Sequence, residues 1–343
     1  MNLVEIFFEQ ARRLGDKPGM LVKRETSYEP ISWREWAENV EEIAGGLLSL
    51  GLERGEKVAL LSENRPEWAF ADLAILACGC ADVPVYPTNL APQLEYLVNN
   101  SDATYLFVSS ADQLKKGLAV FERCSSLRKI FVFDSDVPAE LLDHDGVQTL
   151  AELKELGRKW LDDNRERLEA IWHSIKADDL ATLIYTSGTT GDPKGVMLTH
   201  NNFISNVAAC SARVKVDSND IFLSHLPLSH VLERMSGYYI PLYNGSVIAY
   251  AESIDKVSQN MTEVSPTIMI SVPRLFEKIY DRIYDGAQQS KGIKKQLVFW
   301  AFGVADKIAA CKRENREPSG GLKFQQALAH KLVFSKLGEK LGG

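Results

Sequence analysis

Short apolar runs alternate with helical stretches along most of the chain, and this alternation constrains the fold more than any other feature. Each run has the length of a buried strand, and the stretches between them place apolar residues at helical spacing. A strand–helix–strand rhythm predicts a parallel sheet with helices on both faces. The predicted strands lie at 57–61, 83–86, 105–108, 130–133, 180–186, 221–224, 247–251 and 267–271.

The clearest predicted helix covers residues 32–52. Ser32 is followed three places on by Glu35, which is the pattern of a capping box. Apolar residues then recur at the helical period from Trp33 onward. A second helical region, 273–338, is almost unbroken except for a Pro-Ser-Gly-Gly interruption at 318–321.

Composition narrows the class of protein. Apolar residues make up 45% and charged residues 25% of the 343 residues, as in an ordinary globular protein. The net charge of −7 argues against a dedicated nucleic-acid surface, which is usually basic. The five cysteines are odd in number and scattered, which predicts free thiols in a reducing compartment. The first residues show no basic leader before an apolar stretch, and no window reaches the ~18 apolar residues of a membrane span. These features predict a cytoplasmic protein.

The segment 183–200 is the most informative for function. An apolar strand runs into consecutive glycine and hydroxyl residues, a Pro-Lys-Gly sequence closes the loop, and a second apolar strand leaves it. Glycines let backbone N–H groups turn toward an anion, and hydroxyls and a lysine add donors and positive charge. The loop therefore predicts a polyphosphate site. Its candidate residues are Thr186, Ser187, Gly188, Thr189, Thr190, Gly191 and Lys194.

This loop differs from the common nucleotide-binding motifs. In a Walker A loop a second glycine would stand where Pro193 is, and a serine or threonine where Gly195 is. It is not a dinucleotide-binding turn either, so redox enzymes lack their fingerprint here. A serine hydrolase is excluded because the chain contains no G-x-S-x-G elbow.

The sequence Tyr-Thr-Ser-Gly-Thr-Thr-Gly-Asp-Pro-Lys-Gly-Val, which begins at Tyr185, resembles the signature loop of the adenylate-forming superfamily. That superfamily contains acyl-CoA synthetases, luciferases and the adenylation domains of peptide synthetases. The segments 32–35 with 55–59, and 81–88, extend the resemblance toward the N-terminus. The segment 226–235 is similar to the one that lines the family's acyl pocket.

Two further segments look like the long-chain fatty acyl-CoA synthetases, namely 272–280 and the end of a helical insertion at 327–337. The resemblance implies ATP-dependent formation of acyl-AMP with release of pyrophosphate, and then transfer of the acyl group to coenzyme A with release of AMP. Long-chain fatty acid, ATP and coenzyme A would be the substrates, with Mg²⁺ as the metal. It also implies a magnesium contact for Thr186 and a position near the acyl carboxylate for His230. Glu233 and Arg234 are interpreted as an ordinary ion pair at a helix start.

The resemblance predicts an α/β fold of two interleaved, doubly wound sheets with flanking helices. One subdomain would cover about 50–205, and the other about 1–49 plus 206–343, with a helical insertion at 286–338. The motifs that follow in the family, including the C-terminal domain with the catalytic lysine, do not occur in this sequence. We therefore expect the 343 residues to be the truncated N-terminal part of such an enzyme, and inactive on their own.

Two alternatives stay open at this stage. The chain could serve as a non-catalytic module that binds acyl chains or a partner protein. The apolar stripe of the helix around 296–310 is expected to be buried, with peripheral contact to a membrane surface as the alternative. The sequence fits a monomer or a dimer.

Overall fold

Two β-sheets organise residues 1–251 in a computed structural model, which describes residues 1–186, 191–339 and 342. Seven of the eight predicted strands are present, as is the strand expected after the 186–194 loop, and three further strands were not predicted: β1, β2 and β7. They are β1 (Pro18–Arg24), β2 (Ser27–Ser32), β3 (Lys57–Leu61), β4 (Ala81–Val85), β5 (Ala103–Val108), β6 (Lys129–Val132), β7 (Val147–Thr149), β8 (Leu180–Thr186), β9 (Lys194–Thr199), β10 (Ile221–Ser224) and β11 (Val247–Tyr250).

Helices fill most of the connections between these strands and form the last part of the chain. They are α1 (Leu3–Leu14), α2 (Trp33–Ser49), α3 (Pro66–Ala77), α4 (Ala91–Ser101), α5 (Ala111–Phe121), α6 (Ala139–Leu142), α7 (Leu150–His173), α8 (His200–Ser211), α9 (Val231–Glu233), α10 (Ile240–Asn244), α11 (Val257–Val264), α12 (Pro273–Gln289), α13 (Gly292–Arg313), α14 (Gly320–Ala329) and α15 (Ser335–Glu339). Two π-helical turns, Arg234–Tyr239 and His330–Phe334, join α9 to α10 and α14 to α15.

The larger sheet has seven strands in the order β7-β6-β5-β3-β4-β8-β9. Its neighbouring strands are parallel except for the antiparallel pair β8–β9. The chain moves outward from β3 in both directions, as in a doubly wound sheet. Loops that bind ligands in such sheets lie at the carboxyl ends of the strands, and the 186–194 loop leaves the carboxyl end of β8.

The strands of the smaller sheet come from two separate parts of the sequence, one before and one after the segment that forms the larger sheet. Its order is β10-β11-β1-β2, with β1 parallel to β11 and antiparallel to β2. The N-terminal hairpin β1–β2 thus joins strands that follow residue 220. Two sheets interleaved along the chain, with helices between and around them, confirm the predicted fold class.

Local sequence explains the best-predicted element, α2. The Ser32 hydroxyl accepts the N–H of Glu35, and the Glu35 carboxylate accepts the N–H of Ser32 at 2.7 Å, which completes the capping box. Trp33 and Trp36 are fully buried and stack with ring centroids 5.0 Å apart. The capped first turn therefore carries the aromatic core of the first part of the molecule.

The chain separates into two compact units, Met1–Ala251 and Glu252–Gly343. The second unit is helical, and a small apolar core forms where α13 packs on α14 and the following π-helical turn. Ala301 and Val304 are buried there, which agrees with the expectation that the apolar side chains of the helix around 296–310 pack in a core. The subdomain boundaries proposed near residues 50 and 205 stay predictions.

One predicted strand is wrong. Residues 267–271 form a single bridge at Ile268 and no extended strand. A strand gains its stability from a full ladder of hydrogen bonds to a neighbour, and the described residues supply one bridge position there.

Among the helices of the described residues, none has both the length and the apolar character that crossing a membrane requires.

Candidate active site

The predicted phosphate loop connects β8 and β9, which pair in antiparallel fashion as a hairpin. Thr186, the last residue of β8, pairs directly with Lys194, the first residue of β9. Residues directly opposite each other in an antiparallel pair project from the same face, so their side chains are neighbours. Both are exposed. The hairpin therefore brings a hydroxyl and an ammonium group together at the carboxyl end of β8.

The remaining loop residues divide into two groups. Gly191 has a φ of 143°, a backbone conformation that other residues rarely adopt, so glycine is required there. The four other predicted phosphate ligands lie outside the described residues: Ser187, Gly188, Thr189 and Thr190.

An aromatic contact holds the base of the hairpin. Tyr185 pairs with Gly195 across the two strands, and its ring lies over this glycine: a Cβ added there would stand 3.1 Å from the Tyr185 Cζ. Burial raises the pKa of Tyr185 to about 12, so the hydroxyl keeps its proton. It donates that proton to the Asn100 side-chain oxygen at 2.7 Å.

Helix α4 presents one face to this hairpin. Tyr96 donates a hydrogen bond from its hydroxyl to the main-chain oxygen of Pro193 at 3.0 Å. The Tyr96 ring meets the Tyr185 ring edge-on, with centroids 6.4 Å apart. Tyr96 and Asn100 are one helical turn apart, so both contacts come from the same face of α4. Sequence reasoning did not single out either residue.

A cavity of about 630 Å³ opens beside the hairpin. Thr186 and His230, which were predicted to serve the nucleotide and the acyl carboxylate, both line it. Its walls mix apolar and polar side chains from four separate parts of the first unit. They are Pro84, Tyr86, Asn89, Pro92, Gln93, Tyr96, Leu97, Ile184, Tyr185, Thr186, Asp192, Pro193, His230 and Val231.

His230 is exposed and caps helix α9. Its Nδ1 accepts the N–H of Leu232 at 3.1 Å, so the neutral ring carries its proton on Nε2. The segment before it is fixed by Asn64, whose side chain donates to the oxygen of Leu226 at 2.6 Å and accepts the N–H of Leu228 at 2.9 Å. His230 thus offers an oriented N–H donor to the cavity.

Behind His230, a buried charge network anchors the chain. Arg234 is completely buried, and its guanidinium binds both carboxylate oxygens of Asp82 at 2.7 Å. It also contacts the Asp72 carboxylate and donates to the Thr182 hydroxyl at 2.9 Å. The main-chain N–H of Arg234 donates to the oxygen of His230 at 3.0 Å. This network ties α3, β4 and β8 to the segment that carries His230.

The interpretation of Glu233 and Arg234 as a pair is wrong, because Arg234 binds two aspartates and Glu233 points elsewhere. Glu233 is buried, and neither of its carboxylate oxygens has a hydrogen-bond partner of good geometry among the described residues. Burial raises the pKa of Glu233 to about 8, opposed by Ser224 and by the main chain of His225. Its carboxyl group is therefore largely protonated at neutral pH.

A metal site built only from side chains does not occur in the described part of the chain, where no three His, Cys, Asp or Glu residues are placed to hold an ion. Thr186 and Asp192 nevertheless put two oxygen-bearing side chains on the same cavity. Mg²⁺ in nucleotide sites takes few protein ligands and keeps waters and phosphate oxygens. These two residues therefore fit a magnesium ion that arrives with a nucleotide.

Comparisons with known proteins show the family of the chain. A family model described as AMP-binding enzyme matches residues 7–332. The chain belongs to the AMP-binding enzyme family, which confirms the resemblance found in the sequence.

Among curated proteins, the chain is 30% identical over its whole length to the human long-chain-fatty-acid–CoA ligase ACSBG2, of which it covers 51%. The chain spans about half the length of the curated relatives it matches.

Solved structures show the same fold. A long-chain-fatty-acid–CoA ligase from Archaeoglobus fulgidus superposes with a TM-score of 0.68 at 21% identity, over 84% of this chain and 54% of that one. The anthranilate CoA ligase AuaEII, solved with anthranoyl-AMP, gives a TM-score of 0.68 at 19% identity, over 81% of this chain and 51% of that one.

Proposed function

We propose that the full-length protein to which these 343 residues belong activates a long-chain fatty acid with ATP and transfers the acyl group to coenzyme A, and that the 343 residues alone are inactive. One observation carries this proposal: Thr186, which pairs with Lys194 across the hairpin, and the donor His230 line a single cavity. The name of the human relative supports a long-chain acid as the substrate. The cytoplasm stays the predicted location.

The hairpin would bind the phosphates of ATP. Lys194 supplies a positive charge and Thr186 a hydroxyl donor at the tip of two paired strands. Rigidly held donors stabilise charge that develops during reaction without a reorganisation cost. Mg²⁺, held by Thr186, Asp192 and the phosphates, would add neutralising charge.

His230 would orient the fatty carboxylate. Its Nε2–H can donate to one carboxylate oxygen, which leaves the other to attack the α-phosphorus of ATP. Attack forms the acyl–phosphate bond and releases pyrophosphate. The thiol of coenzyme A then forms the thioester bond, loses its proton and releases AMP. The protein's part in the first step is chiefly alignment of the attacking oxygen with the phosphate.

The proposal is tested by supplying the full-length natural protein with ATP, Mg²⁺ and coenzyme A and one of three acids: hexadecanoate, acetate or an amino acid. We expect AMP and acyl-CoA to form with hexadecanoate, and kcat/KM to be lower by at least a factor of about 10² with acetate, because the cavity offers apolar walls that a two-carbon acid cannot fill. Equal activity with acetate would contradict the long-chain assignment. Absence of AMP formation with every acid would contradict the reaction.

A further inference from the structure

The contacts between α4 and the hairpin have no role in the function proposed above. Tyr96 reaches the oxygen of Pro193, and Asn100 reaches the hydroxyl of Tyr185, whose ring lies over Gly195. One helix therefore holds residue 193 directly and residue 195 indirectly, through Tyr185. Lys194 stands between the two attachments and is itself exposed.

The Tyr96 hydrogen bond acts on the peptide unit that joins Pro193 to Lys194. The ring of Pro193 fixes its φ, so the orientation of this peptide depends chiefly on rotation about ψ of Pro193. A hydrogen bond to the carbonyl of that peptide restricts this rotation. It thereby sets the direction in which the Lys194 side chain leaves the strand, opposite Thr186.

We infer that Tyr96 is a positioning residue for the phosphate site: its hydroxyl holds Lys194 in the orientation that binds ATP. The inference deepens the proposed function and rests on it. The hydroxyl proton is directed at Pro193, and the ring contributes to the cavity wall whether or not the hydroxyl is present. Tyr96→Phe removes the hydrogen bond and keeps the ring against Tyr185.

The expected effect is moderate and specific to the nucleotide. A single neutral hydrogen bond changes an equilibrium by about three- to tenfold. When it is absent, ATP must order the peptide before Lys194 on binding, so the dissociation constant and KM for ATP rise by that factor. KM for the fatty acid should stay within about twofold, because the ring surface is unchanged.

Tyr105→Phe is the matched control. The buried Tyr105 also donates its hydroxyl to a main-chain oxygen, that of Leu50 at 2.7 Å, where α2 ends. This position lies near the amino end of the seven-stranded sheet, away from the hairpin. If loss of a tyrosine hydroxyl acted only through overall stability, both variants would lower the melting temperature and neither would change KM for ATP selectively.

The experiment compares the full-length natural protein with four variants made in that protein: Tyr96→Phe, Tyr105→Phe, Lys194→Ala and the double variant Y96F/K194A. MgATP binding is measured by calorimetry, and steady-state kinetics give KM for ATP and for hexadecanoate. We expect Tyr96→Phe to weaken ATP binding three- to tenfold in the natural background and to have no further effect when Lys194 is already alanine. Tyr105→Phe should leave both KM values unchanged.

Three results would overturn the inference: equal ATP binding in Tyr96→Phe and Tyr105→Phe, the same loss in the Lys194→Ala background, or a rise in KM for hexadecanoate instead of ATP. Each of these leaves the proposed function standing. Failure of the natural protein to bind MgATP and form AMP would instead contradict the proposed function itself.

Discussion

Replacing Glu233 by Gln should stabilise the protein in alkaline solution, and the gain should increase with pH. Glu233 is buried without a well-formed hydrogen bond in the described structure, and burial raises its pKa to about 8. Gln has nearly the same shape and never ionises. The substitution therefore removes the cost of a buried charge and leaves the packing almost unchanged.

The sign follows from proton binding. In the unfolded chain this carboxyl group loses its proton near its usual pKa of 4.5, whereas in the folded protein it keeps the proton up to about pH 8. Between these values the folded state binds more protons than the unfolded state, so the free energy of unfolding falls as the pH rises. Below pH 4.5 the group has no such effect.

The magnitude follows from the same two pKa values. Each tenfold change in proton affinity is worth about 1.4 kcal/mol, so the full difference sets an upper limit of about 5 kcal/mol above pH 8. Relaxation of the protein around a buried charge reduces this cost. We expect Glu233→Gln to be more stable than the natural chain by about 3 kcal/mol at pH 9 and within about 0.5 kcal/mol of it at pH 5.

The assay is urea unfolding at pH 5, 7 and 9, followed by tryptophan fluorescence. Trp33, Trp36 and Trp68 are fully buried in the first unit, so their emission reports on the part of the protein that contains Glu233. Glu166→Gln, at an exposed position on α7, is the matched control and should show no such trend. A stability difference that is independent of pH, or a loss of stability at pH 9, would refute the reasoning.

Two further substitutions test the packing behind His230. Arg234→Met should lower the free energy of unfolding by about 3–5 kcal/mol, because it leaves Asp72 and Asp82 buried without their cation; a loss below about 1 kcal/mol in urea unfolding would contradict the network. Gly237→Ala should cost about 2 kcal/mol in thermal unfolding, since its Cβ would stand 2.5 Å from a Glu233 carboxylate oxygen. Gly286→Ala on α12, where a Cβ meets open space, should be neutral or stabilising, and equal effects of the two alanines would count against the close contact.

Local sequence signals were sufficient to predict those strands and helices whose bounds depend on their own residues. The bounds of β3, β8 and β10 agree with the predicted strands, and the helix α2 begins at its capping box. The strand predicted at 267–271 was wrong because an apolar run becomes a strand only when a neighbour completes its ladder.

The candidate site was predictable in part. The loop from Thr186 to Lys194 carries a recognisable motif, and its hairpin follows from two flanking apolar strands. The contact between Tyr96 and Pro193 joins residues 97 positions apart, and a tyrosine in an amphipathic helix gives no signal of that distant partner. Beyond the first turn of α3, which contains Glu67, Asp72 is the only charged residue, and such an isolated carboxylate could have indicated a buried cation, which the structure identifies as Arg234.

The central claim is that the loop from Thr186 to Lys194 binds the phosphates of ATP, and that Lys194 supplies the positive charge for this binding. Its most direct test is fatty-acid-dependent exchange of pyrophosphate into ATP, measured in the full-length natural protein and in its Lys194→Ala variant. The matched control is Lys215→Ala, at another exposed lysine. The account predicts that Lys194→Ala lowers the exchange rate by a factor of about 10²–10³, because a preorganised charge at the transferring phosphates is lost, and that Lys215→Ala leaves it unchanged. Equal exchange rates in Lys194→Ala and Lys215→Ala would contradict it.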